Sequence, residues 1–190
     1  MYTSPYTALR LAHFCNVLGP VSPDVVFHSP DNRIPHVDIY TAPPLSDDDV
    51  YAFFSDGVSD RRMAVPSDVP PEILRRIELV ANADTLDPRV PSLLKRIVDS
   101  VFSDRTFLGA FHTYGFAQGT AFKFREFLFA PAGALDGLVI EGDPVQVLTV
   151  LPLTHREYVY ATENGPEELF RIFKEALPSP SFDSIRQSIV

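Results

Sequence analysis

The sequence holds a single cysteine, Cys15, and no tryptophan. An internal disulfide is therefore impossible, and a structural zinc site built from cysteines alone is excluded. A reducing compartment suits such a chain, and the cytoplasm is the expected location. Also lacking is any apolar run near the roughly 20 residues a membrane-spanning helix needs. Met1 to Gly19 shows neither the basic start nor the cleavage pattern of a signal peptide, so a soluble protein without a membrane partner is expected. Basic residues are few and scattered: 16 Lys and Arg stand against 25 Asp and Glu, a formal charge of −9. With no cationic cluster to displace counterions from a phosphate backbone, nucleic acid is not an expected partner. Internal repeats, low-complexity tracts and a phosphate-binding glycine motif are missing as well.

What is present fits one folded domain spanning residues 1–190, with 45% apolar residues to build a core. The 18 prolines are dispersed and fall where elements should begin or end. Ser4-Pro5 has the form of a cap and first helical residue. Leu9, Ala12 and Cys15, with Leu11, Phe14 and Leu18, then recur at helical spacing up to Gly19-Pro20. Val25–Phe27, Val37–Thr41 and Val50–Phe54 are short β-prone runs suited to an antiparallel meander. In the second of them Val37 and Ile39 point one way, while His36, Asp38 and Tyr40 point the other. Ile73–Ala81 mixes both periodicities and is read as a helical turn passing into a strand at Ile77–Ala83. After Asp87-Pro88, residues Leu93, Leu94, Ile97, Val98, Val101 and Phe102 form the stripe of a helix ending near Ser103.

Phe107–Gly119 is an aromatic, glycine-containing connection that serves either as a packing lid or as a binding surface. Phe122–Phe129 and Val145–Leu151 are strands, the first with a parity switch that implies a bulge or burial on both faces. Thr154-His-Arg-Glu157 has capping-box spacing. Gly165-Pro166 starts a last helix whose apolar face is Leu169, Phe170, Ile172, Phe173 and Leu177. Residues 178–190 read as a peripheral tail. The fold class is α/β (α+β), with a mixed, largely antiparallel central sheet flanked by helices.

Tyr51–Pro66, YAFFSDGVSDRRMAVP, is the segment that stands out. An aromatic strand breaks at Asp56-Gly57, where glycine is free to take positive φ. Ser59, Asp60, Arg61 and Arg62 then make a polar crest, and Met63, Val65 and Pro66 can fold the loop back onto the body. It is either a surface connection anchored by Met63 or an ordered functional loop.

Residues able to carry chemistry do not assemble into a recognised motif. His36 and Asp38 share a strand face and are possible metal ligands, with His112 or His155 as a third. A first-row metal site asks for three or four convergent groups, so no metal or other cofactor is expected. Cys15, on the presumed core stripe, reads as an inert thiol. Ser55-Asp56-Gly57-Val58-Ser59 is not a nucleophile elbow, and the paired carboxylates lie where capping or solvation explains them. The competing reading to a binding protein is a hydrolytic or metal-dependent enzyme using His36, Asp38 and His112.

The order of segments resembles the suppressor-of-fused (SUFU) family: HVDIYTAPP (His36–Pro44), FFSDGVSDRRMAVP (Phe53–Pro66), ELV (Glu78–Val80), His112-Thr113 and LPLTHREYVYATENGPEELFRIF (Leu151–Phe173). Where the family tends to show Thr-x-Gly-Met-Ser, this chain has Ser55-Asp56-Gly57-Val58-Ser59. The resemblance, from about His36 to Phe173, implies an α/β domain without catalytic residues. Eukaryotic members resemble two-domain regulators that hold Hedgehog-pathway transcription factors through a peptide added as a strand. This chain resembles their N-terminal domain alone, so that clamp is not carried over. Single-domain bacterial relatives look like immunity proteins of polymorphic toxin systems, and an acidic chain suits a basic toxin domain as partner. The expected function is a non-enzymatic protein-binding module, with a housekeeping scaffold as a further alternative. The expected contact surface is Asp47, Asp48, Asp49, Asp56, Ser59, Asp60, Arg61 and Arg62.

Overall fold

Alternating apolar residues organise the chain around a mixed sheet whose two faces are both covered. The structure, a computed structural model, describes residues 4–22, 24–28, 36–46, 50–69, 74–117, 122, 124–176, 181–182 and 187–190. Among these, eight strands are present: β1 (Phe27–His28), β2 (Asp38–Ala42), β3 (Tyr51–Asp56), β4 (Arg76–Ala83), β5 (Thr113–Gly115), β6 (Glu126–Pro131), β7 (Val139–Ile140) and β8 (Asp143–Leu153). Their order is β1-β2-β3-β4-β8-β6-β5, with β7 paired to β8 outside this path. Every pairing is antiparallel except that of β4 with β8, which run parallel at the centre. A parallel central pair needs cover on both sides, and β4 is accordingly buried along almost its whole length.

The side-chain period of two sorts the core into layers. On one face Val37, Ile39, Phe53, Ile77, Leu79, Phe127, Phe129, Leu148 and Val150 form a cluster with helix α2 (Arg89–Ser103). Val90, Leu93, Leu94, Ile97, Val98 and Val101 of α2 are buried in it, each worth about 1.5–3 kcal/mol in apolar transfer. The opposite face is divided. Helix α1 (Thr7–Leu18) covers Tyr40, Phe54 and Val80 through Phe14. Helices α3 (His155–Asn164) and α4 (Pro166–Ala176) cover Leu128, Ala130, Leu151 and Leu153 through Ala161, Leu169 and Phe173. The strand expected over Phe122–Phe129 begins only at Glu126, so Phe124 lies before it and the parity switch spans the strand's start; within β6 both faces are buried, Phe127 and Phe129 in one layer and Leu128 and Ala130 in the other.

Local signals act where they were read at α3 and α2, whereas the helix expected to start at Ser4-Pro5 begins at Thr7 without a side-chain cap. Thr154 Oγ1 accepts from the Glu157 amide at 3.3 Å, and Glu157 Oε2 from the Thr154 amide at 2.7 Å, which closes the capping box. Asp87 Oδ1 accepts the Arg89 amide at 2.8 Å at the start of α2.

Three readings need correction. Cys15 is exposed, as are Leu9 and Ala12, because α1 buries the line of Arg10 and Phe14. The residues after Pro178 are not peripheral where they are described: Ser181 and Phe182 are buried, and the Phe182 amide donates to Asn82 O at 3.0 Å. Ile189 and Val190 pack beside α3 and α4, with the Ile189 amide donating to Glu157 Oε1 at 3.1 Å. Finally, the connection from Phe107 contains β5, and the segment between β6 and β8 contains a 3₁₀ turn, Gly133–Leu135, and β7. Both strands are too short for a periodicity to show. Ile73, Leu177 and Gly119 lie outside the described residues.

Candidate functional site

The site is built where β3 ends. Gly57 turns the chain at φ 111°, and a Cβ there would stand 2.2 Å from the carbonyl oxygen of His36, so only glycine fits this close approach of two backbones. A 3₁₀ turn, Val58–Asp60, follows, and Arg61 returns to extended backbone. Met63 is buried as the anchor: its amide donates to Arg75 O at 2.7 Å, and its sulfur accepts the Leu108 amide at 3.4 Å.

Beneath the turn lies Glu78 of β4, fully buried. Its Oε1 accepts the amides of Ser59 at 2.9 Å and Gly57 at 3.3 Å, together with the Ser59 hydroxyl, and its Oε2 accepts the Ser55 hydroxyl. Over it reaches Arg10 from α1, also fully buried. Its guanidinium is paired with Asp56, donates to Asp60 Oδ1 at 2.8 Å and Ser59 Oγ at 3.0 Å, and lies 3.6 Å from Glu78. Ser4 Oγ accepts from Arg10 and donates to Asp60 Oδ1 at 2.8 Å, and Thr7 Oγ1 donates to Asp56 Oδ2 at 2.6 Å.

One arginine thus faces three carboxylates beneath the turn, largely out of solvent. Burial pushes the Glu78 carboxyl up to about 7; Arg10 and the serine hydroxyls pull against that, and Asp56 adds to it. For Arg10 burial works against the charge, but the three carboxylates outweigh it and the guanidinium is held more firmly protonated than usual.

Outside this core runs a second, wetter set of charges. Arg62 and Arg76 share Asp143: Arg62 Nη2 donates to Oδ1 at 3.0 Å and Arg76 Nε to Oδ2 at 2.9 Å. Hydrogen bonds from both arginines hold the Asp143 carboxyl below its ordinary value. Arg76 also donates to Ser59 O at 2.6 Å and pairs with Glu141, which accepts from Tyr6 Oη at 2.9 Å. Arg76 therefore joins the exposed ring to the back of the turn.

This geometry divides the expected contact residues. Asp56 and Ser59 are buried and Asp60 nearly so, all three turned inward to Arg10 or Glu78, which corrects the reading of Ser59 and Asp60 as crest. Arg61 and Arg62 are exposed. Asp47, Asp48 and Asp49 lie outside the described residues. His112 sits on the loop before β5 with its ring 5.3 Å from Phe107, and burial holds its imidazole below the usual value. The group that gathers around His36 and Asp38 contains His28 in place of His112 or His155.

Sequence reasoning missed Arg10 and Glu78. Their signals were present: Arg10 shares a helix face with Phe14 four residues on, and Glu78 interrupts the apolar run from Ile77 to Ala81 within β4.

The sequence model of the family described as "Suppressor of fused protein (SUFU)" matches residues 33–187. The chain belongs to the suppressor-of-fused family. No curated protein matches it. Among solved structures it is similar to a SUFU homologue from Neisseria gonorrhoeae FA 1090, 18% identical, with a TM-score of 0.72 over 97% of each chain. It is also similar to a chain of the Sufu-Fu complex, 12% identical, with a TM-score of 0.69 over 97% of this chain and 92% of that one. Drosophila Suppressor of Fused, 12% identical, gives a TM-score of 0.68 over 99% of this chain and 54% of its own. At these identities the likeness establishes the fold.

Proposed function

We propose that this protein is a non-enzymatic protein-binding module, and that it acts as an immunity protein which binds and neutralises a basic toxin domain in the cytoplasm. The observation that carries the binding role is that a structure of the same fold is one of the Sufu-Fu complex, in which the fold is held with another protein. The loop geometry supports it, because Arg61 and Arg62 stand exposed on a turn braced from below by Glu78 and Arg10. A rigid base lowers the ordering cost a partner must meet on binding.

The toxin reading rests on the chain's charge of −9, which would speed encounter with a cationic domain and cover its basic site. In this reading Asp47, Asp48 and Asp49 supply the acidic side of the contact, and Arg61 and Arg62 meet acceptors on the partner. Two tests separate the levels of the proposal. Co-purification from the native host is expected to yield a stoichiometric protein partner; repeated recovery of the lone chain would remove the binding role. A gene for a large secreted multidomain protein beside its own is expected for an immunity protein. Co-expression should then restore growth of cells making the toxin domain, and failure to do so would leave a binding module of another kind.

A further inference from the structure

At the β1 edge of the sheet, His28 and Asp38 face each other across the β1–β2 pair, in direct register. Residues in register share a face of the sheet with their Cβ atoms about 4.5–5.5 Å apart. His36 lies two positions before Asp38, which places it on that same face. Three different side chains therefore converge from backbone geometry alone. His28 Nδ1 stands 2.6 Å from Asp38 Oδ1, His36 Nε2 stands 3.0 Å from the same oxygen, and the two imidazole rings are 4.7 Å apart between centroids. One donor atom from each residue lies within 4.8 Å of the others.

We propose that His28, His36 and Asp38 form a binding site for a divalent transition-metal ion. Two imidazoles and one carboxylate are a donor set that suits zinc and its neighbours in the first row, and does not suit calcium or magnesium, which take oxygen ligands. The His28 side chain is 35% exposed, whereas those of His36 and Asp38 are 5% and 10% exposed, so the cluster opens to solvent on one side only. That is the arrangement of a site with three protein ligands and an open position.

The framework behind it is stiff. The His36 carbonyl is packed against Gly57, and Asp38 pairs in register with Asp56, which the Arg10 guanidinium holds. Asp56 is turned to the Arg10 guanidinium, while Asp38 faces the two imidazoles. Around a tetrahedral ion with bonds of about 2.0–2.1 Å, neighbouring donor atoms stand roughly 3.4 Å apart. The observed 2.6 and 3.0 Å separations open by about 0.8 and 0.4 Å to reach that spacing. No reaction is assigned to the site, and the proposal is independent of the protein-binding role.

The test uses the full chain, stripped with a chelator that is then removed, and titrated with zinc by calorimetry near neutral pH. One saturable equivalent is expected, along with a zinc-dependent rise in thermal midpoint. Cobalt(II) is expected to give visible d–d absorption. His28→Ala, on the exposed edge strand, should leave the metal-free midpoint unchanged while weakening zinc binding more than about tenfold and abolishing the cobalt spectrum. His155→Ala, at a distant exposed imidazole, should change neither. No saturable binding at high-micromolar zinc would overturn the site and leave a packed His-Asp-His cluster. Binding that survives His28→Ala intact, or that His155→Ala weakens equally, would overturn it too.

Discussion

Two arginine-carboxylate assemblies meet at the Gly57 turn, and they differ mainly in how much water reaches them. In the inner one the Arg10 and Asp56 side chains are 0% and 2% exposed; in the outer one Arg62 and Asp143 are 55% and 28% exposed. A pair of charges in water gains little, because solvent screens the attraction and the side chains lose freedom to form it. Inside a protein the same pair has surrendered its hydration, so removing one partner strands the other at a cost of several kcal/mol. The inner assembly is thus a fastening of α1 and β4 to the turn, and the outer one is a set of charges that solvent reaches.

The largest effect is expected from Arg10→Ala, which leaves Asp56, Asp60 and Glu78 without their cation. A loss of about 3–5 kcal/mol in urea unfolding is the expected outcome, and a loss as small as that of a surface variant would erase the distinction between the two assemblies.

Glu78→Gln comes next, at about 1–3 kcal/mol, because one amide oxygen replaces two carboxylate oxygens that together accept four hydrogen bonds. It also carries a pH signature. The Glu78 carboxyl is raised in the fold from 4.5 to about 7, so the folded state favours its protonated form. Its contribution is fully present below 4.5 and is lost as pH rises through about 7. Stability measured against pH should therefore fall across that window in the natural protein and do so less steeply in Glu78→Gln. Equal slopes would place the titration elsewhere.

For the outer assembly the expectation reverses. Arg61→Glu combined with Arg62→Glu should leave the urea midpoint nearly where it was, yet weaken binding to the partner more than about tenfold if these residues anchor the contact. Unchanged affinity would move the contact surface away from this loop. The smallest effect sharpens the same contrast. In about 1 M salt, where screening acts within roughly 3 Å, any stability difference between Arg62→Ala and the natural protein should vanish, while the deficit of Arg10→Ala persists.

The α3–α4 corner and the Gly57 turn show how unevenly the architecture could be read in advance. Thr154 and Glu157 cap a helix through atoms three residues apart, and the apolar stripe of α2 is a matter of spacing within one element. Such local features need no knowledge of what lies across the molecule. Gly57 and Met63 were legible for a similar reason, since a turn and an anchor have residue types of their own. The turn's polar residues were not. Ser59 and Asp60 look like a surface crest until Arg10, some 50 positions earlier, is laid against them. His28 is as ordinary an imidazole as His112 or His155 until β1 pairs with β2 and sets it opposite Asp38. Phe182 looked peripheral because no short-range pattern announces that its amide will meet Asn82 of β4.

The amino-acid sequence by itself determined the longer elements, the two apolar faces of the strands, the family and the acidic character, because periodicity, capping and charge are sums over neighbouring residues. Only the tertiary structure decided which charges are buried and which remain outside. Burial depends on what another part of the chain places above a side chain, and the same arginine or aspartate reads alike in either setting.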